Sequence, residues 1–286
     1  MTGTTAANLG CMVPCSPGER AAATRYLSQL DDRMAALETA ARRATLTASF
    51  CDVPFCALVL HPDRLEVRVD RPRRTAGTRL ARSTVQGVGA VVLSARVALA
   101  GQGWAVGVDR FPRPDDPELL AVLRPVAGPP EVGLAPLAAV AAGGPFRRRT
   151  ARSRPPSPAL LEQLGRAAER EDTVLVPVAF GPDHRLVEQL VSEARNNLGL
   201  KPDGTTAGPN RGVADTGFFL LLATRGDDEL SWLLSGEAMA RVLLVLAHHG
   251  WSASVVPHVL DVPLVRDRAG AALCWDNYPQ VLIEVG

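Results

Sequence analysis

The sequence predicts an α+β protein built from two similar units, and three observations lead to that prediction. Long helical patterns alternate with short β-rich runs along the chain. A Pro/Gly-rich stretch at 125–145 divides the 286 residues almost at the middle. The two halves also share a pattern that repeats after 147 residues. We therefore expect an N-terminal unit over 1–140 and a C-terminal unit over 141–286, together forming one domain.

Composition narrows the classes of protein and partner. The chain carries 31 Lys and Arg residues against 30 Asp and Glu residues, so it lacks the basic excess of a dedicated nucleic-acid binder. A hydrophobic fraction of 47% excludes wholesale disorder. The mildly apolar stretch at 133–144 is too short and too broken by Gly and Pro to span a bilayer. We expect a cytoplasmic protein with neither a nucleic-acid nor a membrane partner. The five cysteines form no CxxC pair, which disfavours a zinc site.

The elements of the first unit follow from periodicity and turn residues. Ser16 and Pro17 are typical of a helix start, and the apolar spacing predicts a helix to about Arg43. The basic loop that follows the first hairpin is either a phosphate or acidic-partner patch or a solvated loop. The elements predicted after the first helix are strands at 56–60 and 65–69, a helix at about 84–101, a strand near 105–108, a Pro-punctuated loop at 111–117 and a short helix at 117–124.

The second unit has a similar pattern. Ser157 and Pro158 predict the start of a helix. The turn-rich stretch at 199–216 is a candidate lid or a disordered insertion. The elements predicted for this unit are helices at 158–170, 182–198 and 228–248, strands at 173–180, 217–224 and 279–285, and an extended stretch at 252–263.

The internal repeat is clearest in the long helix of each half. With a shift of 147 residues (250 minus 103), several positions coincide. The matched pairs are Gly89 with Gly236, Leu99 with Leu246, Ala100 with Ala247, Gly103 with Gly250 and Trp104 with Trp251. A Gly after a helix is common, so the Gly-Trp pair carries most of the argument. The repeat predicts a single-chain pseudo-dimer with its site at the pseudo-twofold interface. The alternative is that two helices of similar length merely look alike.

A recognisable pattern fills the C-terminal segment at 218–286. It contains a strand, Thr-x-Gly-Asp, Trp-Leu-x-x-Gly-x-Ala, a long helix, a Gly, small residues and a closing Pro-Gln strand. This segment resembles the C-terminal part of the Acg-type, nitroreductase-like flavoproteins of actinobacteria. The run at 146–152 resembles the Arg-Arg-Thr/Ser-x-Arg segment that opens a nitroreductase unit. The matching C-terminal positions are Thr224, Gly226, Asp227, Trp232, Leu233, Gly236, Ala238, Gly250, Ala253, Ser254, Pro263, Pro279 and Gln280.

The resemblance implies a fold and a chemistry. The fold is a central, mainly antiparallel sheet flanked by helices, with FMN bound between two units that one chain supplies. The chemistry is a two-electron reduction or oxidation of a small molecule through the flavin, with NAD(P)H as a possible electron donor. A chain that carries both units is expected to be a monomer or a weak homodimer.

The arginine segment is the first part of the site that the resemblance implies. Arg148, Arg149 and Thr150 would face the FMN phosphate, ribityl chain or ring edge, with Arg152 beside them. Guanidinium groups suit this role because they offer a planar fork of donors to a phosphate dianion. The alternative is a basic linker whose arginines are solvated.

Two departures from the family pattern lie on the ring side of the implied site. The family's Pro-Ser-x-x-Asn-x-Gln-Pro-Trp loop is replaced by 47–55, where Ser49 and Asp52 are the polar candidates. Asp52 is unfavourable beside a phosphate or an anionic reduced ring. In the stretch Ser254-Val255-Val256-Pro257-His258, a backbone N–H is expected to donate to flavin N5. Pro257 has no N–H, so a slip of one residue would move that role to Val256 or His258.

His258 is the one candidate acid–base residue, because an imidazole titrates near neutral pH and this one falls in the stretch expected to line the pocket. The alternative is a histidine on a surface loop. The sequence thus predicts an FMN-dependent oxidoreductase acting on a small molecule. The alternatives are a flavin-free member of the fold with a binding or regulatory role, a catalyst of another reaction in the old pocket, and a flavin-sequestering protein without turnover.

Overall fold

The structure is a computed structural model that describes residues 17–50, 56–69, 80–143, 155–178, 180–197 and 217–286, with the side chains of the first helix described from 28 to 47. The helices are α1 (Pro17–Phe50), α2 (Arg82–Ala100), α3 (Ala135–Ala142), α4 (Pro158–Glu169), α5 (Pro182–Asn197), α6 (Glu229–His248) and α7 (Pro263–Ala269). The strands are β1 (Cys56–Leu60), β2 (Leu65–Val69), β3 (Ala105–Arg110), β4 (Leu119–Val126), β5 (Val174–Val178), β6 (Phe218–Thr224), β7 (Ala253–Val255) and β8 (Tyr278–Val285). A 3-10 turn at Val259–Asp261 precedes α7, and a π-helical turn at Gly270–Cys274 follows it.

Two four-stranded antiparallel sheets are formed, and their strands follow the same order. The first sheet runs β1-β2-β4-β3 and the second runs β5-β6-β8-β7. In each sheet the third strand of the chain is an edge strand that follows a long helix, α2 before β3 and α6 before β7. The prediction of an α+β fold with antiparallel sheets and flanking helices is confirmed.

The short helix predicted at 117–124 is wrong, because this segment is strand β4. It pairs with β2 on one side and with β3 on the other, so its backbone groups are satisfied within the sheet. The side chains from Leu119 to Leu123 are all buried. A continuous apolar run gives no periodicity that separates a buried strand from a buried helix, so tertiary pairing decides.

The other elements lie near their predicted positions, with four differences. α3 (Ala135–Ala142) is a helix within the stretch that the sequence predicted only as Pro/Gly-rich. α1 continues to Phe50, beyond the predicted end at Arg43. The extended stretch predicted at 252–263 is a three-residue strand followed by a 3-10 turn. α7 and the π-helical turn have no counterpart among the predicted elements. The predicted cap of α4 is confirmed, since the Ser157 hydroxyl accepts from the Leu160 amide at 3.3 Å.

Helices α2 and α6 cross at the centre of the molecule, where two glycines meet the opposite backbone. A Cβ on Gly89 would overlap the carbonyl oxygen of Leu233, and a Cβ on Gly236 would overlap that of Gln86. Only glycine allows the two backbones to approach this closely. Both helices are long and apolar enough to pass for membrane spans, but 78% and 72% of the relevant windows are buried, as expected of core helices.

Apolar side chains of both long helices contribute to the core on each side of this crossing. The second sheet is covered on one face by α2, α4 and α6 and on the other by α5, α7 and the 3-10 turn. Successive side chains of β6 alternate between these faces, with Leu220 and Leu222 on the first and Phe219 and Leu221 on the second. In the first sheet, β2 and β4 pack against α1 and α2, and Leu233 of α6 joins that core. The two halves are thus packed against each other through their long helices.

Candidate functional site

A cluster of polar side chains closes the end of β6, and we call it the strand-end cluster (Thr224, Asp227, Trp232, Arg266 and Gln280). The Asp227 carboxylate is its centre. It accepts from Arg266 Nη1 at 2.8 Å, from Trp232 Nε1 at 2.7 Å and from Gln280 Nε2 at 3.2 Å. Gln280 Nε2 also donates to the Thr224 hydroxyl at 2.8 Å. The hydrogen bond from Arg266 is the main reason why the pKa of Asp227 lies far below its usual range.

Arg82, in the first turn of α2, joins the first half to this region. Its guanidinium donates to the Asp261 carboxylate at 2.8 Å, to the carbonyl of Leu260 and, at 3.4 Å, to the carbonyl of Pro279. Burial lowers the pKa of Arg82, and the nearby Arg266 adds to that effect. Arg82 remains charged nonetheless, since a guanidinium does not lose its proton in proteins. It therefore brings a fixed positive charge from the first half to the 3-10 turn of the second.

His258 lies directly before that 3-10 turn and is paired with the same carboxylate. Its Nδ1 lies 3.0 Å from Asp261 Oδ2, and 57% of its side chain is exposed. The backbone of His258 is left-handed, with φ of 61°. Burial alone would raise the pKa of Asp261, but hydrogen bonds from Arg82 and His258 outweigh burial and hold it below its usual range. The carboxylate is therefore ionised between two donors.

The stretch at 254–258 forms the outer edge of the second sheet. The Val256 amide donates to the Leu282 carbonyl at 2.9 Å, so it is not free to bind a ligand. Amides of an antiparallel strand point alternately toward and away from the neighbouring strand, so the Val255 amide faces away from β8. Because β7 is an edge strand, no strand of the described part of the chain pairs with it on that side. Pro257 has no N–H, so Val255 supplies the outward-facing amide that the strand register identifies in this stretch.

The predicted site residues divide into those the structure places and those it does not describe. Ser254 and Val255 are exposed on β7, Val256 is buried, and Pro257 and His258 are exposed at the bend that follows. Ser49 lies within α1 without a described side chain. The structure therefore joins the 254–258 stretch to Arg82, Asp261 and the strand-end cluster. The predicted residues that lie outside the described part of the chain are Arg148, Arg149, Thr150, Arg152 and Asp52.

A second charged cluster, which the sequence reasoning missed, lies inside the molecule. We call it the buried ion network (Arg96, Arg110, Arg241, Glu131, Glu171 and Glu237). Arg96 of α2 donates to Glu171 at 2.7 Å, to Glu237 at 2.5 Å and to Glu131 at 2.6 Å. Arg110 donates to Glu237 at 2.6 Å, and Arg241 pairs with Glu131 at 2.8 Å and with Glu171. Three guanidinium groups thus face three carboxylates, and the half-exposed Arg170 also lies 3.5 Å from Glu131.

The electrostatics of the buried ion network fit a structural role. Burial opposes the charge of Arg96, but attraction to Glu237 and Glu171 prevails and raises its pKa. Burial, with the Glu237 carboxylate beside it, raises the pKa of Glu171. The side chains of Glu171, Glu237 and Arg241 are at most 2% exposed, so a substrate has little access to them. The signal in the sequence was charged residues within otherwise apolar helices, with Glu237 and Arg241 one turn apart.

The comparisons with known proteins point to one family. No protein-family model matches the chain. The curated protein named "Putative NAD(P)H nitroreductase acg" from Mycobacterium tuberculosis is 26% identical over 280 residues, and the match covers 80% of each chain. Another curated M. tuberculosis protein, also named a "Putative NAD(P)H nitroreductase", is 29% identical over 241 residues, and the match covers 66% of this chain and 67% of the relative. These distant relatives support a nitroreductase-like family.

The positions that carry the nitroreductase-like pattern in the sequence have a structural explanation. Thr224, Asp227, Trp232 and Gln280 hold the ends of β6 and β8 to the start of α6 through the strand-end cluster. Gly236 allows the close crossing of α2 and α6. These residues therefore build the scaffold beside the 254–258 edge.

Proposed function

We propose that this chain is an FMN-dependent oxidoreductase that takes electrons from NAD(P)H and reduces a small molecule. The names of the distant relatives support the reaction class and the electron donor. The proposal also includes a pseudo-dimer, in which one chain supplies both units of a nitroreductase-like pair. As a pseudo-dimer it would act as a monomer or a weak homodimer in the cytoplasm.

The observation that carries the proposal is the reciprocal contact at the crossing of α2 and α6. Gly89 faces the carbonyl of Leu233, and Gly236 faces the carbonyl of Gln86. Both pairs of counterparts are 147 residues apart (236 minus 89 and 233 minus 86), which is the period of the repeat in the sequence. Such an exchange of equivalent contacts is typical of a twofold interface. Together with the equal strand orders, it supports two related units facing each other.

The edge at 254–258 suits a flavin ring in part. The Val255 amide at the open sheet edge is a donor of the kind that flavin N5 requires, and Ser254 is exposed beside it. Arg148, Arg149, Thr150 and Arg152 would grip the phosphate, with Ser49 and Asp52 nearer the ring. FMN, when bound, supplies two-electron transfer between NAD(P)H and the substrate. The protein's own contribution is to hold the ring edge and to place polar groups beside it.

An arginine substitution series tests this site. Replacing Arg148 and Arg149 by Ala should abolish FMN binding, measured as flavin content after gel filtration. The matched control replaces Arg42 and Arg166, two exposed arginines in helical ion pairs, and should retain flavin. NAD(P)H oxidation in the presence of a nitroaromatic or a quinone measures turnover. Unchanged flavin content in the Arg148 and Arg149 variant would refute the placement of the phosphate.

A second candidate function is flavin sequestration or a flavin-free role in binding or regulation. The observation that favours it is the loss of donors, since the Val256 amide is engaged with Leu282 and Pro257 has none. The stretch at 47–55 also lacks the Asn and Gln of the family loop, so two further polar groups expected around the flavin are missing. Bound flavin without turnover would indicate sequestration, and failure to bind FMN would indicate a flavin-free role or another reaction in the same pocket.

A further inference from the structure

Arg82 from the first half of the chain and Asp261 and His258 from the second half are joined by hydrogen bonds, and we call these three residues the relay. The relay ends at the surface. Arg82 of α2 donates to Asp261 Oδ1 at 2.8 Å, and Asp261 Oδ2 lies 3.0 Å from His258 Nδ1. Exposure to solvent increases along the relay, from 10% for the Arg82 side chain to 57% for the His258 side chain. Its buried end is fixed and its outer end is accessible.

The chemistry of the relay determines which nitrogen of His258 carries the proton. An ionised carboxylate only accepts hydrogen bonds, so Nδ1 must be the donor to Asp261. In the neutral ring, Nε2 is then an unprotonated acceptor, and in the imidazolium it is a second donor. No residue of the described part of the chain pairs with Nε2. The outer nitrogen is thus available to exchange a proton with a ligand.

The charges around the relay come from three elements. Arg82 projects from α2, Arg266 from α7 and Asp227 from the loop after β6, and both Arg266 and Asp227 act electrostatically on Arg82. Arg266 is already bound to Asp227 and to the carbonyl of Pro279. Arg82 is therefore the arginine that fixes Asp261, and Asp261 in turn fixes the ring of His258.

The first half of the chain has a left-handed bend equivalent to the one at His258, but a different residue occupies it. Phe111 lies 147 residues earlier (258 minus 111) and has the same left-handed backbone, with φ of 47°. In that half an apolar ring packs against the core of the first sheet. A left-handed bend therefore needs no histidine, and the choice of residue at 258 calls for another explanation.

We propose that His258 is the acid–base residue of the site, and that Asp261 and Arg82 are the residues that position it. The inference rests on the proposed function. FMN, if bound at this site, would supply a quinone with a hydride equivalent from NAD(P)H, and the hydroquinone would need one further proton. The Nε2–H bond of the His258 imidazolium breaks as the O–H bond of the hydroquinone forms, and water restores the proton to the exposed ring. A nitro or carbonyl oxygen would be protonated in the same manner.

The positioning is tested without any turnover by nitrogen-15 NMR of the histidine rings. Neutral His258 is expected as the Nδ1–H tautomer, and its signal is assigned by its loss in His258→Gln. His184 is an internal reference of opposite sense, because its Nε2 lies 2.8 Å from the Gly217 carbonyl and must carry the hydrogen. Asp261→Asn and Arg82→Met should each shift His258 toward Nε2–H. An Nε2–H tautomer in the unmodified protein would overturn the proposal.

The proton transfer is tested by comparing two electron acceptors. A quinone needs a proton and ferricyanide does not, so His258→Gln should lower the ratio of quinone to ferricyanide turnover by about 10²-fold or more. His249→Gln, at an exposed histidine outside the site, should leave the ratio unchanged. An unchanged ratio in His258→Gln would overturn the proposal. A protein without flavin and without turnover would defeat the proposed function and the reduction step, whereas an Nδ1–H tautomer would still support the positioning by Asp261.

Discussion

Two groups of charged side chains connect the halves of this protein, the buried ion network and the relay. They differ in whether every member is paired inside the molecule. In the buried ion network, each charged group meets counterions inside the molecule. In the relay, Arg82 and Asp261 are paired, but the His258 side chain at its end is 57% exposed. A closed set of charges fixes structure, because breaking it leaves an uncompensated buried charge. A set that ends in an exposed imidazole leaves that ring accessible, which is what the proposed acid–base role of His258 requires.

The largest expected effect on stability comes from removing one carboxylate of the buried ion network. Glu237→Ala would leave Arg96 and Arg110 without their shared carboxylate in a buried site. We expect a loss of about 3–5 kcal/mol in the free energy of unfolding, measured with urea. Glu162→Ala, at an exposed helical pair with Arg166, is the control and should have a small effect. Equal losses in the two variants would contradict a structural role for the buried ion network.

The next largest effect on stability is expected at the crossing of α2 and α6. Gly236→Ala would place a methyl group against the backbone of α2 and force the two helices apart. The expected loss is about 1–3 kcal/mol, because the backbone cannot move aside without disturbing the core. In Gly165→Ala, on α4, the added methyl group meets no atom within 4 Å, so this variant should be neutral or more stable. A Gly236→Ala protein as stable as the original would argue against the close crossing.

A smaller effect is expected at the strand-end cluster, and it depends on pH. The folded protein holds the pKa of Asp227 far below its usual value, so this group stabilises the fold above about pH 4 and loses that contribution as the pH falls. Asp227→Asn should therefore flatten the loss of stability in acid. Urea unfolding at several acidic pH values measures it, with Asp276→Asn at an exposed position as the control. A steep acid loss retained in Asp227→Asn would rule out this contribution.

The smallest effect on stability is expected at the open end of the relay. His258 is exposed, and among the described residues its ring is paired with Asp261, so His258→Gln should change the free energy of unfolding by no more than about 0.5 kcal/mol. Thermal or urea unfolding checks this beside the acceptor ratio. A large loss of stability would mean that His258 belongs with the structural charges, and the distinction between the two groups would fail.

Local patterns predicted most of the fold. The hairpin of β1 and β2, the cap of α4 and the glycines at 89 and 236 could be identified from turn residues, capping and the repeat. The error at β4 arose because its uninterrupted apolar run is equally compatible with a buried helix. Pairing between distant strands settled its structure, and such pairing leaves no trace in a local window.

The candidate site was predicted only in part. The stretch at 254–258 could be placed from the resemblance. Arg82, which binds the neighbouring Asp261, lies 179 residues earlier in the region of the predicted basic loop, and nothing in that loop indicated which residues its arginines would contact. The buried ion network was missed because opposite charges on α2, α6, β3 and two loops are joined only in the folded molecule. Charged residues on apolar helices were the one available warning. The arginines at 148, 149 and 152 stay a prediction.

The central claim, that this nitroreductase-like scaffold serves flavin chemistry, is tested most directly by the visible absorption spectrum of the purified protein. The spectrum is recorded after gel filtration and again after FMN is added and the excess is removed. We expect the two visible bands of an oxidised flavin to elute with the protein, and to bleach when NAD(P)H is added without oxygen. A colourless protein that retains no FMN after this treatment would contradict the account.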